Sequence, residues 1–147
     1  MTGKRIGIET IEGFFLDEMG AEKVFRYLER ADFMLLIYIE RLCENSEDGR
    51  VYLRDLAKEM DVTMSVLSKM ITSMQDKGYV SWKTSETKSG TYVQLTNRAK
   101  NKIKQERDYM RELFSKIRRA IPADELETTM ATVSKISEIA RKSREKK

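Results

Sequence analysis

The chain has no histidine, one cysteine and one proline among its 147 residues. Each shortage excludes something. Without histidine there is no side chain that titrates near neutral pH unaided, and the commonest general base and metal ligand is missing. A single cysteine, Cys43, cannot form a disulfide within the chain, which fits a reducing cytoplasm. A single proline, Pro122, leaves long helices almost uninterrupted. No apolar run approaches the roughly 18 residues of a membrane span. The opening MTGKRIGIET has no continuous apolar stretch, so no signal peptide is expected. No phosphate-cradling glycine loop and no Cys/His metal spacing occurs. Carboxylates such as Glu40 and Glu44 stand at helical spacing, as on any charged helix surface. Enzymatic activity, a cofactor and a bound metal are therefore not expected.

Charge is present, and it is uneven. Residues 1–49 carry 6 Lys/Arg and 11 Asp/Glu, a net of −5. Residues 50–104 carry 11 and 5, a net of +6, and residues 105–147 carry 11 and 8, a net of +3. A positive middle segment suits a polyanionic partner, although a mixed-charge surface alone would look similar.

Apolar spacing gives a mostly α, α+β chain. The arm over 1–20 has Ile6, Ile8, Ile11, Phe14, Phe15 and Leu16 broken by glycines, with a helical turn or two expected around 9–18. A long helix is expected over 21–44, with Val24, Leu28, Ala31, Leu35, Tyr38 and Leu42 at three- and four-residue steps. Phe25, Phe33, Leu36, Ile37 and Ile39 widen that stripe, so the helix should face more than one neighbour. A polar loop over 45–49 follows.

Two short amphipathic helices come next. Leu53, Leu56, Ala57 and Met60 line one face of the first, and Asp61 stands where the chain must turn left-handed. Thr63 should cap the second, which is expected over 64–77 with Val66, Leu67, Met70, Ile71 and Met74 buried. Lys77 and Gly78 should end it. Residues 79–82 and 91–95 alternate as two strands around a polar tip over 83–90. Together these read as a winged helix-turn-helix, a fold that places one helix in the major groove of DNA.

Thr96 should cap a second long helix to about residue 120, with Ile103, Met110, Leu113 and Ile117 as its seam. Pro122 breaks it. A last helix should open at a capping box of Asp124 and Glu127, with the stripe Leu126, Met130, Val133, Ile136 and Ala140, ahead of a frayed basic tail over 141–147. The winged module is too small to cover the stripes of these terminal helices, so a twofold homodimer is the economical way to bury them. A monomeric bundle is the alternative.

The middle of the chain resembles the MarR family (multiple-antibiotic-resistance repressor). Asp55, Leu56 and Ala57 match its "eLA", the run over 62–69 its "vtpstvsR", and 76–80 its "kkGlv". Leu95 and Thr96 match the "LT" that opens a long helix, and 122–127 the "speELe" before the last helix. The order and spacing carry the resemblance over roughly residues 21–140. It implies a winged helix-turn-helix with long N- and C-terminal dimerisation helices. The expected divisions are an arm over 1–20, a dimerisation helix and loop over 21–49, a DNA-binding module over 50–95, and C-terminal dimerisation helices over 96–147. The implied function is a cytoplasmic, sequence-specific transcriptional regulator, acting as a homodimeric repressor on double-stranded DNA, with a small-molecule inducer among its implied partners. The alternative is a winged-helix protein-interaction module.

The outward face of the second short helix would then supply the DNA contacts. Thr63, Met64 and Ser65 stand at its N-terminal end, and Ser68, Lys69, Thr72 and Ser73 follow. Hydroxyls can bond bases or phosphate, Met64 can meet a thymine methyl, and Lys69 replaces the family's usual arginine. Lys83 and Lys88 of the wing and Arg54 of the first short helix are phosphate candidates, with Arg50 and Lys58 behind them. The family's wing carries an arginine for the minor groove; the tip over 83–90 has none. Cys43 lies near the end of the first long helix, whereas oxidant-sensing relatives carry theirs near its start, so a packing role is expected. Phe25, Phe33, Tyr38, Tyr109, Phe114 and the nine methionines could line an inducer cavity, or simply form core.

Overall fold

A computed structural model describes residues 24–84 and 90–145. The arm over 1–20, the start of the first long helix over 21–23, the wing tip over 85–89 with Lys88, and residues 146–147 lie outside the described residues. Among the described residues the elements run α1 (Arg30–Glu44), β1 (Val51–Tyr52), α2 (Leu53–Met60), α3 (Met64–Asp76), β2 (Val80–Thr84), β3 (Thr91–Leu95), α4 (Asn97–Ala120) and α5 (Ala123–Glu145). No described helix is long and apolar enough to cross a membrane. The chain divides into two compact units, Met1–Asp108 and Tyr109–Lys147.

In the first unit, three helices, the start of a fourth and a small sheet enclose one core. Leu35, Leu36 and Ile39 of α1, Leu56 of α2, Leu67, Ile71 and Met74 of α3, Val93 of β3 and Ile103 of α4 are almost wholly buried. The sheet is antiparallel in the order β1-β3-β2, with Val51 paired to Val93 on one side and Trp82 paired to Val93 on the other. The strand expected over 79–82 is displaced to Val80–Thr84, and β1 was not expected at all. Two residues make no periodic signal; β1 exists because Val51 and Tyr52 pair with Val93 and Tyr92.

The first long helix starts later than its apolar spacing suggests. Residues 24–29 are not α-helical, and α1 begins at Arg30 behind Glu29 in an extended conformation. The cause is Glu106 on α4. Its carboxylate, fully buried, accepts from the backbone N–H groups of Arg26 (2.9 Å), Tyr27 (2.8 Å) and Leu28 (2.8 Å). Those donors would otherwise serve a helix. The buried face is Phe33, Leu35, Leu36 and Ile39, so Ala31 of the expected seam is exposed.

The second unit comprises the end of α4 and all of α5. Helix α4 ends at Ala120, ahead of Pro122, as expected. Helix α5 begins at Ala123, since proline suits a helix start, so Asp124 lies inside the first turn and not at a cap. Its carboxylate still sits near the positive end of the helix dipole. Helix continues through the expected frayed tail to Glu145. None of α5 is buried: Met130 is 68% and Ile139 66% exposed, and Leu126 and Val133 are only half-buried.

Candidate nucleic-acid interface

Local chemistry builds the turn between α2 and α3. Asp61 adopts the left-handed conformation (φ 56°, ψ 49°), the one non-glycine residue with positive φ among those described. Thr63 then caps α3, its hydroxyl oxygen accepting from Val66 N–H at 3.2 Å. The far end closes in a Schellman arrangement. Gly78 (φ 80°) donates to Gln75 C=O and Tyr79 donates to Met74 C=O, each at 2.9 Å.

That C-terminal end is also clamped. Lys77 Nζ reaches Asp32 of α1 at 2.7 Å. Arg98 Nε of α4 donates to Lys77 C=O at 3.1 Å while its guanidinium lies over the Tyr79 ring. Thr96 hydroxyl donates to Gly78 C=O at 2.7 Å and accepts from Ala99 N–H, capping α4 as expected. Helix α3 is therefore fixed by its core face and its C-terminus. Its N-terminal half is left to project.

The outward face carries Thr63, Met64, Ser65, Lys69, Thr72 and Ser73, all exposed, with Ser68 half-buried. Thr72 hydroxyl donates back to Ser68 C=O at 2.8 Å, which leaves its acceptor lone pairs outward. Lys69 has no carboxylate partner among the described residues, so its charge is not neutralised locally. The expected core set of α3 needs a correction. Leu67, Ile71 and Met74 are buried and Met70 is half-buried, but Val66 is 47% exposed. A helix packed on one side buries about a third of its circumference, and residue 66 falls outside that arc.

A groove of about 490 Å³ runs beside the start of α3. Arg54 of α2, Met64 and Ser68 of α3, Trp82 of β2 and Thr91 of β3 line it. The indole N–H of Trp82 is buried without a hydrogen-bond partner among the described residues. Lys69 and Ser73 open onto a smaller cleft of about 260 Å³ on the other side of the helix, near Asp32 of α1. Arg50 is engaged elsewhere: its guanidinium stacks 4.5 Å from the Tyr92 ring centre, and the neighbouring Tyr52 side chain raises its already high pKa.

This arrangement has close parallels among solved structures. A MarR mutant from E. coli complexed with operator DNA matches with a TM-score of 0.59 at 21% identity, over 88% of this chain and 96% of that one. A MepR mutant from S. aureus matches with a TM-score of 0.64 at 13% identity, over 89% and 98%. The haem sensor PefR from Streptococcus agalactiae, in complex with haem, matches with a TM-score of 0.59 at 20% identity, over 85% and 83%. The fold is that of the MarR-family regulators. By sequence alone, no family model and no curated protein matches.

Within the MarR fold the expected contact residues divide into two sets. Arg54, Met64 and Ser68 converge on the groove, while Lys69 and Ser73 face the opposite flank of α3. Lys83 is exposed at the end of β2 and does not line the groove. Sequence reasoning missed Trp82 and Thr91, which reach the groove through cross-strand geometry. Of the expected inducer-lining residues, Phe25 and Phe33 meet with ring centres 5.3 Å apart, and Tyr38 packs under Arg41. Cys43 is half-buried with its thiol 3.4 Å from Gly49 C=O, in keeping with a packing residue.

Proposed function

We propose that this chain is a cytoplasmic, sequence-specific DNA-binding transcriptional regulator of the MarR type. It works as a homodimer on a pseudo-palindromic operator, with half-sites about 10 bp apart, and represses by occupying a promoter. The observation that carries this reading is the free face of α3. Its N-terminal half projects from a clamped C-terminus, lined with hydroxyls and an unneutralised lysine, on a segment whose net charge is +6.

On this reading the start of α3 enters the major groove. Thr63, Met64 and Ser65 meet base edges, and Ser68, Lys69, Thr72 and Ser73 meet bases or phosphate. Arg54, Lys83 and Lys88 bind phosphate. Residues 50–95 form the reading module, and residues 21–49 and 96–147 form the dimer hub behind the arm over 1–20. The exposed Met130 and Ile136, in one stripe with Leu126, Val133 and Ala140, support that hub, because an apolar helix stripe is normally covered. The operator-bound MarR structure supports DNA as the partner, and haem-bound PefR supports a small-ligand input. This chain has no histidine, so an imidazole cannot hold a haem here.

The salt dependence of binding to a mixed-sequence duplex tests the reading. Counterion release makes log K fall steeply with log salt, by about 0.9 per phosphate neutralised. A steep negative slope is expected. A flat one would favour the winged-helix protein-interaction module, which the arginine-free wing keeps in play.

A further inference from the structure

Val66 is an apolar side chain of α3 that the core does not use. Its apolar spacing suits the core of α3, yet it stands 47% exposed, as does Met64. A β-branched residue on an open helix face gains no packing and lowers helix propensity relative to alanine. Met64, Ser65 and Val66 are three consecutive exposed residues in the first turn, directly after the Thr63 cap. At about 100° per residue, Met64 and Val66 fall on the two flanks of Ser65, and Lys69 lies one turn on from Ser65 and Val66. The projecting tip therefore offers two apolar side chains around a hydroxyl, beside a cation with no ion-pair partner among the described residues.

Charge decides what such a tip fits. Protein-binding surfaces deplete lysine around their apolar centre, whereas Lys69, with Arg54 and Lys58 on the neighbouring helix, suits a polyanion. On the edges of DNA bases in the major groove, the apolar group on offer is the 5-methyl of thymine. We infer that Val66, together with Met64, is a specificity-determining residue that reads thymine 5-methyl groups. The inference rests on the DNA-binding reading above.

The test removes only the methyl. Duplexes enriched from a random pool by the full chain are resynthesised with uracil replacing each thymine in turn. At one or two positions in each half-site, uracil is expected to weaken binding about fourfold, the factor for burying one methyl-sized group. In Val66→Ala the penalty at one of these positions should fall to nothing, with affinity for the duplex carrying uracil there unchanged. Val66→Ala is expected to fold, because the side chain is exposed and alanine is the better helix former; thermal melting by circular dichroism checks this. Equal binding of uracil and thymine at every position overturns the inference and leaves the DNA reading intact, since the duplex was selected. Penalties that survive at every position in Val66→Ala overturn the role of Val66. A pool that yields no enriched sequence overturns the DNA reading and this inference with it.

Discussion

Leu28 and Glu106 lie 78 residues apart in sequence, yet the backbone N–H of Leu28 sits 2.8 Å from the Glu106 carboxylate inside the core. Tyr27 donates to the same oxygen and Arg26 to the other. One buried side chain thus satisfies three backbone donors ahead of α1. Removing it would strand them, at about 1–3 kcal/mol for each donor that water cannot reach. Glu106→Ala is expected to destabilise the protein by about 3 kcal/mol or more, with Glu106→Gln losing less because one acceptor remains. Urea denaturation measures both. A midpoint unchanged in Glu106→Ala would contradict the capping role.

The pair of Lys77 and Asp32 ties the end of α3 to α1. The hydrogen bond to Asp32 raises the Lys77 pKa above its ordinary value. A group whose pKa is raised on folding stabilises the fold below its unfolded pKa, and that contribution is lost as pH rises through the folded value. Its size is under about 1 kcal/mol, because the ammonium is partly exposed and screened. Lys77→Met should therefore lower the melting temperature slightly at neutral pH. The difference from the parent should shrink in strongly alkaline solution.

Two residues on the face of α3 carry the DNA reading. The double variant Lys69→Ala, Ser65→Ala should bind a selected duplex at least tenfold more weakly, as loss of a base contact worth about 1–3 kcal/mol requires. The salt slope should flatten by about 1 through the loss of Lys69. Both positions are exposed, so stability should change little. Unchanged affinity would mean that another element meets the DNA.

The stripe on α5 should behave as an interface. A carboxylate introduced by Met130→Glu or Ile136→Glu would be buried between subunits without a partner, a strongly unfavourable position. Either change is expected to shift the protein from dimer to monomer in sedimentation equilibrium. A parent chain that sediments as a monomer would contradict the hub.

Much of the fold was legible in the sequence because its signals are local. Asp61, Thr63, Gly78, Thr96 and Pro122 act within a few residues of themselves, and each does in the structure what its type suggests. What stayed hidden depends on distant partners. Strand β1 is made by Val93 and Tyr92, and the delayed start of α1 by Glu106. Val66 was misplaced because spacing alone cannot tell which neighbour of Leu67 a single packed face will cover. The candidate interface follows the same division. Met64, Ser65 and Lys69 can be named once α3 is recognised, whereas Trp82 and Thr91 enter the groove only through strand register.

The most direct test of DNA recognition by α3 is selection of bound sequences from a random duplex pool by the purified chain at near-physiological salt. An enriched inverted repeat with half-sites about 10 bp apart is the expected result, and it would supply the operator. Recovery of unrelated sequences, or of none, would contradict sequence-specific binding by a twofold dimer.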